Sequence, residues 1–182
     1  MAVYIHEATP MDVDPFIDFV RDSMMRTYVD PERDIGPAYF DPQYFNNESR
    51  RAGSERQVTP SDINRAWIAR DDGGVLVGVL AAEDQKDHVE IIKLHVARDR
   101  QRQGIGRLLM NEAFTWWGNN RRYGLEVIHF NPAIDFYRRL GFAIDQSVPP
   151  IRYDHYPQED WPIGHHPEFW AYRMWREPGI PA

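Results

Sequence analysis

Val3 to Glu7 alternates apolar and polar residues, the two-residue period of a half-buried strand. Pro15 suits the first turn of a helix with Asp14 as its N-cap, and Phe16, Phe19, Val20, Met24 and Tyr28 give that helix an apolar stripe. Val29 to Ser61 follows no single period. It is rich in Pro, Gly, Asp and Asn, carries aromatics at Tyr39, Phe40, Tyr44 and Phe45, and has room for a short helix whose limits the pattern leaves open. The strand signal returns at Ala66 to Arg70 and Val75 to Glu83, which flank the hairpin turn Asp71-Asp72-Gly73-Gly74. His88 to Val96 reads as a further strand.

Ile105, Leu108, Leu109, Ala113, Trp116 and Trp117 recur at helical spacing, so Gly104 to about Asn119 is predicted to be an amphipathic helix, its stripe interrupted by Glu112. Tyr123 to Phe130 is predicted as a strand. Asn131 as cap and Pro132 at the first position start another helix, which Leu140-Gly141 ends. Phe142 to Val148 and Phe169 to Trp175 read as two last strands, separated by a proline- and histidine-rich loop at Pro149 to Glu168. With no repeat and no linker, residues 1–182 are expected to form one α/β domain, a size that supports a sizeable core.

Composition narrows the function. The absence of cysteine excludes a disulfide framework, a cysteine nucleophile and a thiolate metal site. No basic start or long apolar run marks a secretory signal or a membrane span, so a cytoplasmic location is the expectation. A net charge of −7 argues against a general nucleic-acid binder and mildly favours cationic partners such as amines. His155, His165 and His166, with Asp154 and Glu159, fit no zinc spacing, and no metal is expected.

Against the acidic whole, Arg98, Arg100, Arg102 and Arg107 crowd into ten positions around Gly104-Ile105-Gly106. A strand that turns here into a helix aims free backbone N–H groups at one point, with the helix dipole behind them. Glycines admit a bulky anion close to the backbone, and arginines add charge-assisted contacts, which together make a pyrophosphate site. The spacing matches neither the dinucleotide fingerprint nor a P-loop.

Leu94-His95-Val96, then Gln101-Arg102-Gln103-Gly104-Ile105-Gly106, resembles the Gln/Arg-x-x-Gly-x-Gly/Ala motif of the GCN5-related N-acetyltransferases (GNAT family). Gly124 to Phe142 resembles the family's second hallmark, a strand followed by Asn-x-x-Ala-x-x-Phe-Tyr and Gly-Phe. The likeness covers about 66–148. It implies a mixed, mostly antiparallel sheet of about seven strands flanked by helices, and acetyl-coenzyme A as co-substrate. It implies that Gln101, Arg102, Gln103, Gly104, Ile105, Gly106 and Arg107 hold the pyrophosphate, that Leu94 and Val96 bind the pantetheine arm, and that Asn131 orients the coenzyme or caps its helix. Family members often dimerise.

Amine acylation by a thioester needs an unprotonated amine, an oxyanion contact and a proton for the departing thiolate. The resemblance assigns the last to Tyr137, whose phenol has a reference pKa of about 10, and the oxyanion contact to the Val96 N–H. The base is Glu126 or Glu90. Leu125-Glu126-Val127 resembles the strand of some protein N-terminal acetyltransferases, and desolvation between apolar neighbours would raise the pKa of Glu126. Glu90 shares simple strand parity with Ile92, Leu94 and Val96. His95 and His129 are weaker candidates. Three functions follow: acetylation of a small amine or amino-acid-like metabolite, acetylation of a peptide N-terminus, and coenzyme A sensing without turnover.

Overall fold

A computed structural model describes residues 2–33, 35–41, 47–152 and 170–180, with the side chains of Tyr39 and Arg152 left aside. Tyr44 and Phe45 of the early aromatic cluster lie outside the described residues, as do Tyr153, Tyr156, Trp161, Phe169 and the histidine-rich part of the late loop. The elements are β1 (Val3–Glu7), α1 (Val13–Tyr28), α2 (Glu48–Val58), β2 (Asn64–Asp71), β3 (Leu76–Asp84), β4 (Val89–Val96), α3 (Ile105–Trp117), β5 (Tyr123–Ile128), α4 (Ile134–Arg139), β6 (Ala143–Ile144), β7 (Ile151–Arg152) and β8 (Trp170–Arg176).

The strands form one eight-stranded sheet in the order β1-β2-β3-β4-β5-β8-β6, with β7 also paired to β8. Only β4 and β5 run parallel; every other pair is antiparallel. Alternation along β2 divides the core. Trp67 and Ala69 join Leu109, Met110, Ala113 and Phe114 of α3 on one face, while Ala66 and Ile68 join Phe16 and Val20 of α1 and Val58 of α2 on the other. Each large side chain buried this way contributes about 1.5–3 kcal/mol.

Several boundaries differ from the pattern. α1 begins at Val13, after a 3₁₀ turn over Pro10–Asp12, because Pro15 lacks an N–H and is tolerated anywhere in a first turn. α2 is the helix left open within 29–61. It has no apolar stripe to announce it, since Ser54, Gln57 and Val58 are its buried residues. Asn131 does not begin α4: its Oδ1 accepts the Ala133 N–H at 2.8 Å, closing a turn, and the helix starts at Ile134. The expected strand at Phe142–Val148 is the two-residue β6, ended where Asp145 Oδ1 accepts the Ser147 N–H and forms a turn.

The decisive irregularity is in β4. Ile91 faces Ala82 and Lys93 faces Ala81, leaving Ile92 as an unpaired extra residue. This β-bulge reverses the alternation. Glu90 therefore faces the α1/α2 side with Lys93 and His95, and does not share a face with Leu94 and Val96.

Candidate functional site

β4 and β5 pair at three positions only, Val89 with Tyr123, Glu90 with Gly124 and Ile91 with Leu125. Beyond them β4 continues to Val96 and β5 to Ile128 without a ladder between them, so the sheet opens into a wedge. The Ala97 N–H bonds Val77 O at 2.9 Å. Main-chain groups alternate sides along a strand, so those of Leu94 and Val96 face the wedge. An extended chain laid there can take up strand-like hydrogen bonds.

The glycine turn stands at the wide end. Gly104 has φ 86° and ends the turn in the left-handed region, and no side chain caps α3. The first amides of that helix, at Ile105, Gly106 and Arg107, therefore point outward with the dipole behind them. Gln101 Nε2 donates to Val96 O at 3.3 Å and Gln103 Nε2 to Asp99 O at 3.1 Å, which folds the turn back on itself. The arginines separate into two groups. Arg100 is held by Asp71 Oδ2 at 3.2 Å, tying the turn to the β2–β3 hairpin, whereas Arg98, Arg102 and Arg107 are exposed and form no ion pair among the described residues. A Cβ on Gly106 would lie 3.2 Å from Phe136 Cζ, so the start of α3 rests directly on α4. The two sequence hallmarks are thereby brought into contact.

On the α1/α2 face, where the wedge begins to open, three charged residues converge. Arg173 Nη1 contacts Glu90 Oε1 at 2.7 Å and Oε2 at 2.6 Å, and its Nη2 contacts Glu126 Oε1 at 3.2 Å. Arg173 lies opposite Glu126 in the β5·β8 register. His88 Nε2 is 3.1 Å from Glu90 Oε2, and its Nδ1 is 2.9 Å from Asp87. Trp175 lies beneath, with His88 edge-on to its ring at 4.9 Å and the Arg173 guanidinium 4.9 Å from its centroid. Burial pushes the Glu90 carboxyl above its ordinary value despite the opposing pull of Arg173 and His88, and the nearby Glu126 adds to the rise. The expected desolvation of Glu126 is not found: its side chain keeps 35% of its exposure against 18% for Glu90. Glu126 faces water, while Arg173 and His88 enclose the Glu90 carboxylate.

Tyr137 is buried among Phe136 and Phe142 and lies near Tyr28. Its hydroxyl has no hydrogen-bond partner among the described residues, and burial, reinforced by Tyr28, raises its pKa far above the phenol's ordinary value, so it stays protonated. Asn131 Nδ2 donates to Tyr28 Oη at 2.5 Å, joining α4 to the end of α1. His95 is bonded to Ser23 Oγ at 3.1 Å, and burial, helped by Lys93, lowers its pKa to about 4. It is a neutral imidazole and a weak base. His129 is stacked on Trp170 at 3.8 Å.

An open parallel wedge, an uncapped helix start flanked by exposed arginines and a carboxylate cluster across the sheet make up the candidate site. Residues 62–144 match the family model described as an acetyltransferase (GNAT) domain. The fold is similar to that of PaiA N-acetyltransferase from Thermoplasma acidophilum in complex with coenzyme A (16% identity, 97% of this chain and 99% of that one, TM-score 0.74). It is also similar to the ribosomal-protein-S18-alanine N-acetyltransferase of Escherichia coli (17% identity, 100% and 97%, TM-score 0.64) and to Arabidopsis thaliana NAA60 in complex with a bisubstrate analogue (22% identity, 96% and 98%, TM-score 0.60). Residues 62–144 therefore carry a GNAT acetyltransferase domain, and the fold of the chain is the one these acetyltransferase structures share. Sequence reasoning missed Arg173. The Arg in Trp-Ala-Tyr-Arg-Met-Trp-Arg gives no local sign of its partners, which only the register of β8 against β5 brings to it.

Proposed function

We propose that this acetyltransferase moves the acetyl group of acetyl-coenzyme A to a primary amine of a small, amino-acid-like molecule by direct attack. The observation that supports this reading is the wedge itself, with the uncapped, arginine-flanked start of α3 at one end and the Glu90–Arg173–Glu126 cluster on the opposite face. The co-substrate supplies an activated thioester, and the turn Gln101–Arg107 with the wedge-facing main chain of Leu94 and Val96 would hold it. Against one guanidinium, two carboxylates attract the acceptor's ammonium.

Glu126 is the base in this reading. Its carboxylate is open to water, whereas both oxygens of Glu90 are engaged by Arg173. Glu126 removes the amine proton through a water molecule, and the freed nitrogen lone pair forms the N–C bond. The Val96 N–H polarises the carbonyl. As the C–S bond breaks, its electron pair goes to sulfur and Tyr137 Oη gives that thiolate a proton, while the acylated nitrogen sheds its remaining extra proton to water and the Tyr137 phenolate takes one back. Glu90 and Arg173 position Glu126. No described helix is long and apolar enough to cross a membrane, and a cytoplasmic reaction is part of this proposal.

A second reading, acetylation of a peptide N-terminus, is favoured by Leu125-Glu126-Val127 and by the named activity of the Escherichia coli neighbour. Rates with small primary amines and with short peptides free at the N-terminus decide between them. Faster turnover of the small amines is expected; efficient acetylation of peptides alone would replace the first reading by the second.

A further inference from the structure

The α1/α2 face of β4 is electrically divided. Toward β5 and β8 it carries Glu90, Glu126 and their shared Arg173. Beyond the bulge at Ile92 it carries Lys93. The Lys93 side chain is partly buried, lies 5.8 Å above the Phe16 ring and donates to the side-chain oxygen of Gln57. It forms no ion pair with a carboxylate among the described residues. Burial, with smaller contributions from the positive charges of Arg50 and Arg56 of α2, lowers its pKa to about 8. An ammonium placed out of water beside two guanidinium groups is costly unless an anion meets it.

Glu90 and Lys93 are three residue steps apart along the strand, at most about 10 Å of backbone, and their long side chains close part of that gap. A molecule with an ammonium at one end and an oxyanion a short chain away spans the two poles. We propose that Lys93 is the recognition site for an oxyanion on the acceptor, so that the enzyme selects amines bearing a carboxylate or phosphate. This rests on the reading of Glu126 and Glu90 as the amine end of the site. A peptide N-terminus, whose own carboxylate is remote, meets this requirement poorly.

The test has two arms. In the first, kcat/KM is compared within matched pairs, 4-aminobutyrate against butylamine and O-phosphoethanolamine against ethanolamine, for wild type, Lys93→Met and Lys93→Arg. Wild type is expected to prefer the acidic member of at least one pair about tenfold or more, and which pair does so separates carboxylate from phosphate. Lys93→Met should remove about tenfold of that ratio and Lys93→Arg should restore most of it. Lys93→Gln replaces the Met variant if that one fails to fold. In the second arm, butyrate, which has no amine to acetylate, is titrated against thermal stability at constant ionic strength. Protection of wild type but not of Lys93→Met supports the oxyanion site even if no amine is turned over, an outcome that would instead overturn the proposed reaction. Acetylation without acid preference, or a ratio unmoved in Lys93→Met, overturns the oxyanion site and leaves the reaction standing.

Discussion

Trp175 lies against residue 124 only because that residue is glycine: a Cβ on Gly124 would stand 2.4 Å from Trp175 Cζ3 and 2.8 Å from Glu90 Oε2. The indole also donates from Nε1 to Asp145 Oδ2 at 3.0 Å, so the ring is held from a second side. Gly124→Ala must therefore displace a fixed ring or the Glu90 carboxylate. Overpacking of this kind costs about 1–3 kcal/mol, a fall in Tm of about 2–4 °C for each kcal/mol in a chain this long. Calorimetric unfolding checks this, and an unchanged Tm would show that Trp175 is free to move.

Tyr137→Phe separates chemistry from folding. Since the hydroxyl has no partner among the described residues, its removal is expected to change stability by less than about 1 kcal/mol, while kcat falls about 10²–10³-fold. The raised pKa of Tyr137 also keeps it protonated across the working range, so kcat at saturating acceptor should show no alkaline decline between pH 7 and 9 from loss of this proton. Equal kcat in the two proteins would remove Tyr137 as the acid.

Arg173→Met should destabilise the fold in a pH-dependent way. A carboxyl whose folded pKa lies above its unfolded one stabilises the protein when protonated, and that stability is lost as pH rises through the folded value. Glu90 is such a group, and Arg173 limits its rise. Without the guanidinium the penalty is small near pH 4 and grows to about 2 kcal/mol by pH 7, below the full cost of breaking a deeply buried pair. A Tm difference constant from pH 4 to 7 would contradict this linkage.

The turn and the helix that flank the wedge were legible in the sequence, because Gln101 to Gly106 and Asn131 to Tyr137 are local signatures, whereas the opening between β4 and β5 was not. The sheet's long strands were legible too, since β2 and β3 alternate or run apolar between turn residues. What stayed hidden is non-local or unmarked. The bulge at Ile92 sits in Ile91-Ile92-Lys93-Leu94, with no glycine or proline to signal it, yet it moves Glu90 to the opposite face from the one simple parity predicts. Arg173 meets Glu90 across 83 residues of chain, a contact set by strand order alone. The limits of α2 stayed open because its buried positions include Ser54 and Gln57.

Asp71 links the β2–β3 hairpin to the glycine turn proposed to hold the coenzyme. It is 7% exposed, accepts the Gly73 and Val75 N–H groups at 3.0 Å each, and holds Arg100. Asp71→Ala leaves these donors unmet, at about 1–3 kcal/mol, and loosens the turn. The KM for acetyl-coenzyme A is expected to rise several-fold with kcat much less affected. A selective fall in kcat would place Asp71 closer to the chemistry than its contacts do.

The central claim is direct acetyl transfer from acetyl-coenzyme A to an amine, and initial-rate release of coenzyme A thiol tests it most directly. The chain has no cysteine, so the protein adds no thiol of its own. The account predicts release that requires a primary amine, N-acetylated product in equal amount, and rate lines that intersect as both substrates are varied. Thiol release without any amine, parallel lines that signal an acetylated enzyme, or tight coenzyme binding with no release across the amine panel would contradict it.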